Sequence, residues 1–205
     1  KVSAAQIKKA ITPKTKLLLI NSPSNPTGAV YTHAELEAIA DLVLEANIGV
    51  ISDEIYEQLV YGDAKATCFA TLREGLKAKT ITISGVSKTY AMTGWRIGWA
   101  IAPEAVVKAM ANIQSQETSN PCSVSQAAAI AALDGPQECV GVMRKEFESR
   151  RDFVIKKLQG MPGIKCKVPP GAFYAFFDVS SYFGKSFAGK TVTDSASFCL
   201  LALEQ

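Results

Sequence analysis

The sequence predicts an α/β fold: a mainly parallel sheet with flanking helices, followed by the start of a smaller α+β unit. Three observations predict it. Short apolar runs at residues 17–20 and 49–51 each end in a polar cluster, as strands of an open α/β sheet do where they meet a ligand. Between those runs lies a helical stretch, so strand, helix and strand form a parallel crossover unit. After residue 120 the pattern changes to long helices and two short strands around Pro169-Pro170-Gly171.

Residues 4–10 read as a solvent-facing helix, and residues 16–20 as a buried strand needing sheet neighbours on both sides. Thr32-His33-Ala34-Glu35 is a capping box. It starts a helix whose Leu36, Ile39, Ala40, Val43 and Leu44 repeat at helical spacing, and Asn47 and Gly49 stop it. Residues 49–52 and 80–84 are further strands. Residues 97–102 return after a connection too short for a parallel crossover, which predicts an antiparallel strand. Pro103 opens a helix with Val106, Met110 and Ile113 on one side and Val107 and Ala111 beside them. Ser123-Val124-Ser125-Gln126 caps an Ala-rich buried helix stopped by Asp134-Gly135-Pro136. A long amphipathic helix then reaches about Gln159 with Met143, Phe147, Val154 and Leu158 inward, followed by a turn at residues 160–163. Residues 164–168 and 172–178 read as strands and residues 184–190 as a flexible loop.

Composition narrows the function classes. A net charge of +3 with scattered basic residues argues against a nucleic-acid or membrane-surface partner. The sequence has no apolar stretch of membrane-spanning length and no secretory signal, which predicts a cytoplasmic protein. The five cysteines make no C-x-x-C pair and read as reduced, small buried apolar residues. No metal site is predicted. His33, at a helix start, reads as solvated.

The chemistry lies at the strand ends. Asn25 sits in Asn21-Ser22-Pro23-Ser24-Asn25-Pro26-Thr27-Gly28, and Asp53 and Tyr56 sit in Ser52-Asp53-Glu54-Ile55-Tyr56. Lys88 and Arg96 sit in the segment from Ser84-Gly85-Val86-Ser87-Lys88 to Gly94-Trp95-Arg96. A part-buried lysine amine can form a Schiff base with a carbonyl, and a guanidinium fork suits a phosphate. Alone, that pair reads as two solvated charges. With Asn25 and Asp53 brought to the same sheet edge, it points to pyridoxal 5′-phosphate, which carries both an aldehyde and a phosphate.

In these motifs, their order and their spacing, the chain resembles the fold-type I, class I and II aminotransferases, in the aspartate/prephenate subgroup, over its whole length. The resemblance implies that the chain is the central part of that fold. Residues 1–120 would be the later part of a large cofactor-binding domain, and 121–205 connecting helices and the start of a small C-terminal domain. It implies amino-group transfer between an L-amino acid of the aspartate or glutamate type and a 2-oxo acid, in a homodimer. Lys88 would hold the cofactor and move a proton, and Asp53 would face the pyridine nitrogen. Tyr56 and Asn25 would donate to the ring oxygen, and Arg96, Ser84 and Ser87 would take the phosphate. Many relatives carry serine three residues before the lysine, where this chain has Gly85. The resemblance also implies a cis bond before the proline of Asn25-Pro26-Thr27-Gly28, and a structural role for Glu54. Gly171-Ala172-Phe173-Tyr174 matches a strand that approaches the substrate in that family, but its residues read first as core.

Relatives are about twice as long, and this chain ends in the apolar run 198–203, so it reads as the middle of a longer protein. The family's stacking aromatic and carboxylate-binding arginine would then lie outside it. Two readings stay open beside the transferase. One is a carbon–sulfur lyase or synthase of the same fold, and the other a regulator domain that senses the cofactor.

Overall fold

A computed structural model describes residues 1–187 and 189–204. Its centre is a four-stranded sheet in sequence order: β1 (Leu17–Asn21), β2 (Gly49–Asp53), β3 (Thr80–Gly85) and β4 (Gly98–Ile101). The first three strands are parallel and β4 runs antiparallel to β3, as its short connection predicts. Register places Asn21 beside Asp53 and Asp53 beside Ile83, so β1 and β2 end together and β3 runs on to Gly85. Among the described residues β1 has a neighbour on one side only, and Leu17 and Leu19 are exposed.

The helix α1 (Ala4–Ala10) has no buried residue, and α2 (His33–Ala46) crosses between β1 and β2. The capping box of α2 is formed, with Glu35 N donating to Thr32 Oγ1 at 3.3 Å and Thr32 N to Glu35 Oε2 at 2.7 Å. Asn47 ends it in the left-handed region with φ +52, which asparagine tolerates better than most side chains. Leu36, Ile39, Ala40 and Val43 pack with Ile20, Ile48, Val50, Phe69 and Leu76 into the main core. Leu42 is also buried, whereas the predicted Leu44 is only half-buried, because the stripe is rotated slightly from the one the spacing suggests. Each buried Leu, Ile or Val contributes about 1.5–3 kcal/mol. This cluster clamps α2 onto β1 and β2, and so holds the polar ends of those strands.

Beyond β3 come α3 (Val86–Thr89), α4 (Glu104–Glu117), α5 (Ser123–Asp134) and α6 (Glu138–Gln159). Several expectations fail here. In α4 no residue is buried, and Met110 and Ile113 are exposed. In α5 the N-cap is Cys122 rather than a serine, and only Ser125 and Ala129 are buried. In α6 the buried residue is Ile155, and Val154 is exposed. Helical spacing names an apolar stripe but not the surface that meets it. Two short antiparallel pairs follow: β5 (Lys165–Cys166) with β6 (Phe177–Asp178), and β7 (Ser186–Phe187) with β8 (Lys190–Thr191). The expected loop 184–190 is therefore a hairpin with Gly184 and Gly189 at φ +83 and +78, and its Ala188 lies outside the described residues. The helix α7 (Ser195–Leu203) is capped by Asp194.

The cysteines also depart from expectation. All five are free, but none is buried, and Cys122, Cys139 and Cys199 are exposed. Among the described residues no helix is long and apolar enough to cross a membrane, and no cluster of three His, Cys, Asp or Glu could hold a metal ion.

Candidate active site

Asn21, the last residue of β1, ties the first two strand ends together. Its Nδ2 donates to the Asp53 carbonyl at 3.2 Å, and its Oδ1 accepts from Asn25 N at 2.6 Å. Ser22 N donates to the same Asp53 carbonyl at 3.2 Å. The loop carrying Asn25 is thus fastened directly to the strand end carrying Asp53. The Asn25–Pro26 bond is cis, as expected, and so is Ser22–Pro23.

The Asp53 side chain accepts from Ile55 N at 3.2 Å, which turns the chain just past β2 and brings Tyr56 round. Glu54 faces into the protein, buried, and accepts from Ser52 Oγ at 2.8 Å and Phe69 N at 2.9 Å. These two bonds offset the cost of burying a carboxylate and give Glu54 the structural role predicted for it.

Tyr56 is the buried centre of the site. Its hydroxyl shares a short hydrogen bond with the Tyr174 hydroxyl, and its ring meets Phe173 and Tyr174 edge to face, with centroids 5.4 and 5.7 Å apart. Burial, then the Tyr174 bond and the Asp53 charge, push the Tyr56 phenol well above its ordinary value, while a hydrogen bond from Asn25 opposes them. Tyr56 is therefore a neutral hydrogen-bond donor at physiological pH. Its coupling to both groups places Asn25 and Asp53 in one electrostatic neighbourhood with it.

Lys88 lies in α3, the single turn of helix that follows β3. Its Nζ stands 5.8 Å from the Tyr56 ring centre and 5.5 Å from that of Phe173, and no carboxylate pairs with it among the described residues. Two aromatic faces thus hold the amine in place. Gly85 explains how β4 approaches so closely here: a Cβ at this position would lie 2.9 Å from both Gly98 Cα and Ile97 O. A serine in its place would collide with backbone, which is a physical reason for glycine at that position.

Arg96, at φ +56, closes the loop between α3 and β4. Its Nη1 donates to Thr93 O at 3.0 Å, and Thr93 Oγ1 donates to Ser87 O at 3.0 Å. Arg96 is exposed and is tied through Thr93 to the turn that bears Ser87 and Lys88. Ser84 is placed differently: it is buried, and its Oγ donates to Glu57 Oε1 at 3.3 Å. Burial, then the charge of Glu54, raise the Glu57 carboxyl, and the Ser84 bond lowers it.

The segment bearing Phe173 and Tyr174 reaches the site through backbone bonds. Gly171 N donates to Gly28 O at 3.0 Å and Ala172 N to Leu59 O at 2.8 Å, while Tyr61 Oη donates to Ala172 O at 2.5 Å. Ala172 is buried at φ +55, a conformation a side-chain-bearing residue keeps only when its surroundings impose it. Sequence reasoning weighed these aromatics as core. The signal that could have found them is the adjacent Phe-Tyr pair following Pro169-Pro170-Gly171. Asn21 carries no signal in the sequence beyond its place in the Asn25 motif, since its two partners lie in a loop and a neighbouring strand.

The donor set fits pyridoxal 5′-phosphate: an amine with no carboxylate partner, a carboxylate, a phenol, an amide and a guanidinium, brought to one end of one sheet. The aminotransferase class I and II family model matches residues 1–200. The chain is 46% identical, over 207 residues, to an aspartate/prephenate aminotransferase of Cereibacter sphaeroides, covering 100% of this chain and 52% of that protein. It is 52% identical, over 176 residues, to an aspartate aminotransferase of Geobacillus stearothermophilus, covering 86% of this chain and 45% of that protein. The crystal structure of an aspartate aminotransferase from Rhizobium meliloti superposes with a TM-score of 0.95 at 42% identity, covering 100% of this chain and 52% of that one. The chain thus spans about half the length of the relatives it matches.

Proposed function

Because the chain belongs to the class I and II aminotransferase family, we propose that it carries the cofactor-holding centre of a transaminase. The enzyme moves an amino group between an L-amino acid, of the aspartate type named for the relatives, and a 2-oxo acid. The observation that carries this reading is Lys88. Its amine leaves a strand end between two aromatic faces, with Asp53, Tyr56 and Asn25 gathered beside it.

When bound, pyridoxal 5′-phosphate supplies an aldehyde carbon for the lysine and a ring that takes up the electrons left on the substrate Cα. The remaining work belongs to this chain. Asp53 holds a proton on the ring nitrogen, which strengthens the electron sink. Tyr56 and Asn25 donate to the ring oxygen. Arg96 and Ser87 take the phosphate. Ser84, expected in that set, is buried and already bonded to Glu57, which favours Arg96 and Ser87 as the phosphate partners. With the cofactor bound, Lys88, its amine freed once the amino acid has taken its place, would be the base that takes the substrate Cα proton. We read residues 1–120 as part of the large domain and 121–205 as connecting helices and the start of the small one. We place the enzyme in the cytosol as a homodimer, on the strength of the family resemblance.

The test is borohydride reduction of the cofactor-loaded protein, followed by peptide mass analysis. A pyridoxyl group on Lys88 is expected. Its appearance on another lysine, or on none, overturns the assignment.

A further inference from the structure

Tyr56 has one phenolic proton and two lone pairs, so its neighbours decide where that proton points. Asn25 offers an N–H to it, and Tyr174 meets it hydroxyl to hydroxyl, where either oxygen could donate. Among the described residues the Tyr174 hydroxyl has no other protein partner. The two rings, with Phe173 packed against both at 5.4 and 4.9 Å, fix the pair by shape as well as by hydrogen bonding. The contact joins residues 118 apart in sequence, one beside the strand-end carboxylate and one on the separate segment 171–174.

We propose that Tyr174 is a positioning residue for Tyr56, its hydroxyl donating to the Tyr56 oxygen so that the single Tyr56 proton is turned toward the group Lys88 carries. The inference rests on the aminotransferase reading above. With Tyr174 donating, the hydroxyl contact across the two rings occupies a lone pair of Tyr56, and its proton is left for an outside acceptor. In this structure Tyr56 donates to Tyr174, the direction in which that bond raises the Tyr56 phenol. With the cofactor's ring oxygen in place the same arrangement would present a lone pair to it, where two acceptors repel, so the pair turns round. The chosen direction makes a chain from Tyr174 to Tyr56 to ring oxygen, in which each donor is strengthened by the one behind it. A stronger donor stabilises the anionic ring oxygen and loosens the proton that it shares with the lysine linkage. Tyr174 touches no reacting atom in this scheme; it acts through Tyr56.

The test uses cofactor-loaded intact protein and reads the pH midpoint of the absorbance change of the lysine-linked chromophore. It compares parent, Tyr174→Phe, Tyr56→Phe and the double variant. Tyr174→Phe removes one oxygen and keeps the ring; should it fail to fold by circular dichroism, Tyr174→Leu removes the same hydroxyl. Tyr174→Phe should raise the midpoint by about half a pH unit, the size of one ordinary hydrogen bond. In the Tyr56→Phe background the same change should have no effect. If Tyr56→Phe moves the midpoint and Tyr174→Phe does not, the positioning role is overturned and the transaminase reading stands. An equal shift in both backgrounds also overturns it, because Tyr174 would then act without Tyr56. If no lysine-linked chromophore forms in the parent, the transaminase reading fails and this inference fails with it.

Discussion

Replacing Gly171 by alanine tests how the Phe173–Tyr174 segment is held over the site. A Cβ at Gly171 would lie 2.7 Å from Val30 Cγ2, 2.8 Å from Pro23 Cβ and 3.1 Å from Leu59 O. Ordinary carbon–carbon contact is about 3.5–4.0 Å, so two of these overlaps approach an ångström. None of the three neighbours can yield cheaply. Val30 is buried, Pro23 is a ring in the loop that carries Asn25, and Leu59 O already accepts from Ala172 N. The segment must therefore move, which weakens the bonds to Gly28 O and Leu59 O and draws Tyr174 off Tyr56. Overpacking of this kind costs about 1–3 kcal/mol, and for a chain of this size about 2 kcal/mol lowers the melting temperature by about 4–8 °C. Gly141→Ala is the control: its Cβ meets nothing within 4 Å, and it lies inside α6, where alanine favours helix by about 1 kcal/mol. The assay is thermal unfolding by far-UV circular dichroism, with the near-UV tyrosine signal recorded alongside. A Gly171→Ala protein that melts within a degree of the parent with an unchanged tyrosine signal would refute the reasoning.

Three further outcomes follow from the site and its surroundings. The folded Glu57 carboxyl is raised above its ordinary 4.5, so its favourable contribution is complete below that value and is lost as pH rises through the folded pKa; Glu57→Gln should therefore raise the melting temperature at pH 8 but not at about pH 4, and equal effects at both would contradict this. Asp53→Asn keeps the oxygen that accepts from Ile55 N, so fold and cofactor binding should persist while the half-reaction with an amino acid slows about 100-fold or more; near-normal single-turnover rates would make Asp53 a turn residue only. The Cys122 thiol is lowered by the N–H groups of Ser125 and Val124 at the start of α5, so iodoacetamide at neutral pH should label it ahead of the exposed Cys139 and Cys199, a ranking that peptide mass analysis checks.

Where a signal is local, the sequence carried it. The capping box at Thr32, most of the stripe of α2 and the polar clusters after β1 and β2 each depend on residues a few positions apart, and each forms as read save that Leu42 rather than Leu44 is buried. The antiparallel β4 was legible because the length of a connection limits what it can cross. Burial in α4 and α5 was not legible, since an apolar stripe gives a direction and not a partner. The Glu57 partner of Ser84 was not legible, because spacing along the chain places its hydroxyl near Lys88 and says nothing of what meets it. On a strand, what matters is the side chain that arrives from another element, here Glu57. Tyr174 escaped for the same reason, its partner lying 118 residues away.

The site is therefore held in two different ways. Asn25 and Asp53 stand at or just past the ends of strands clamped by the core of Ile20, Leu36, Ile39, Val43 and Val50, and Lys88 sits in the turn whose Val86 packs with Ile97 and Ala129, so moving any of them means disturbing a core. Phe173 and Tyr174 rest instead on a few backbone bonds to Gly28, Leu59 and Tyr61 and on a close approach that glycine alone permits at 171. The first set suits groups that must stay aligned with a bound ring throughout a reaction, where small displacements cost heavily in rate. The second suits a face that completes the pocket from a separate segment and tunes a donor already in place. On this division, changes at 171 or 174 should alter the Tyr56 proton and leave Lys88 able to take its cofactor, whereas changes to the α2 core should loosen Asn25 and Asp53 together.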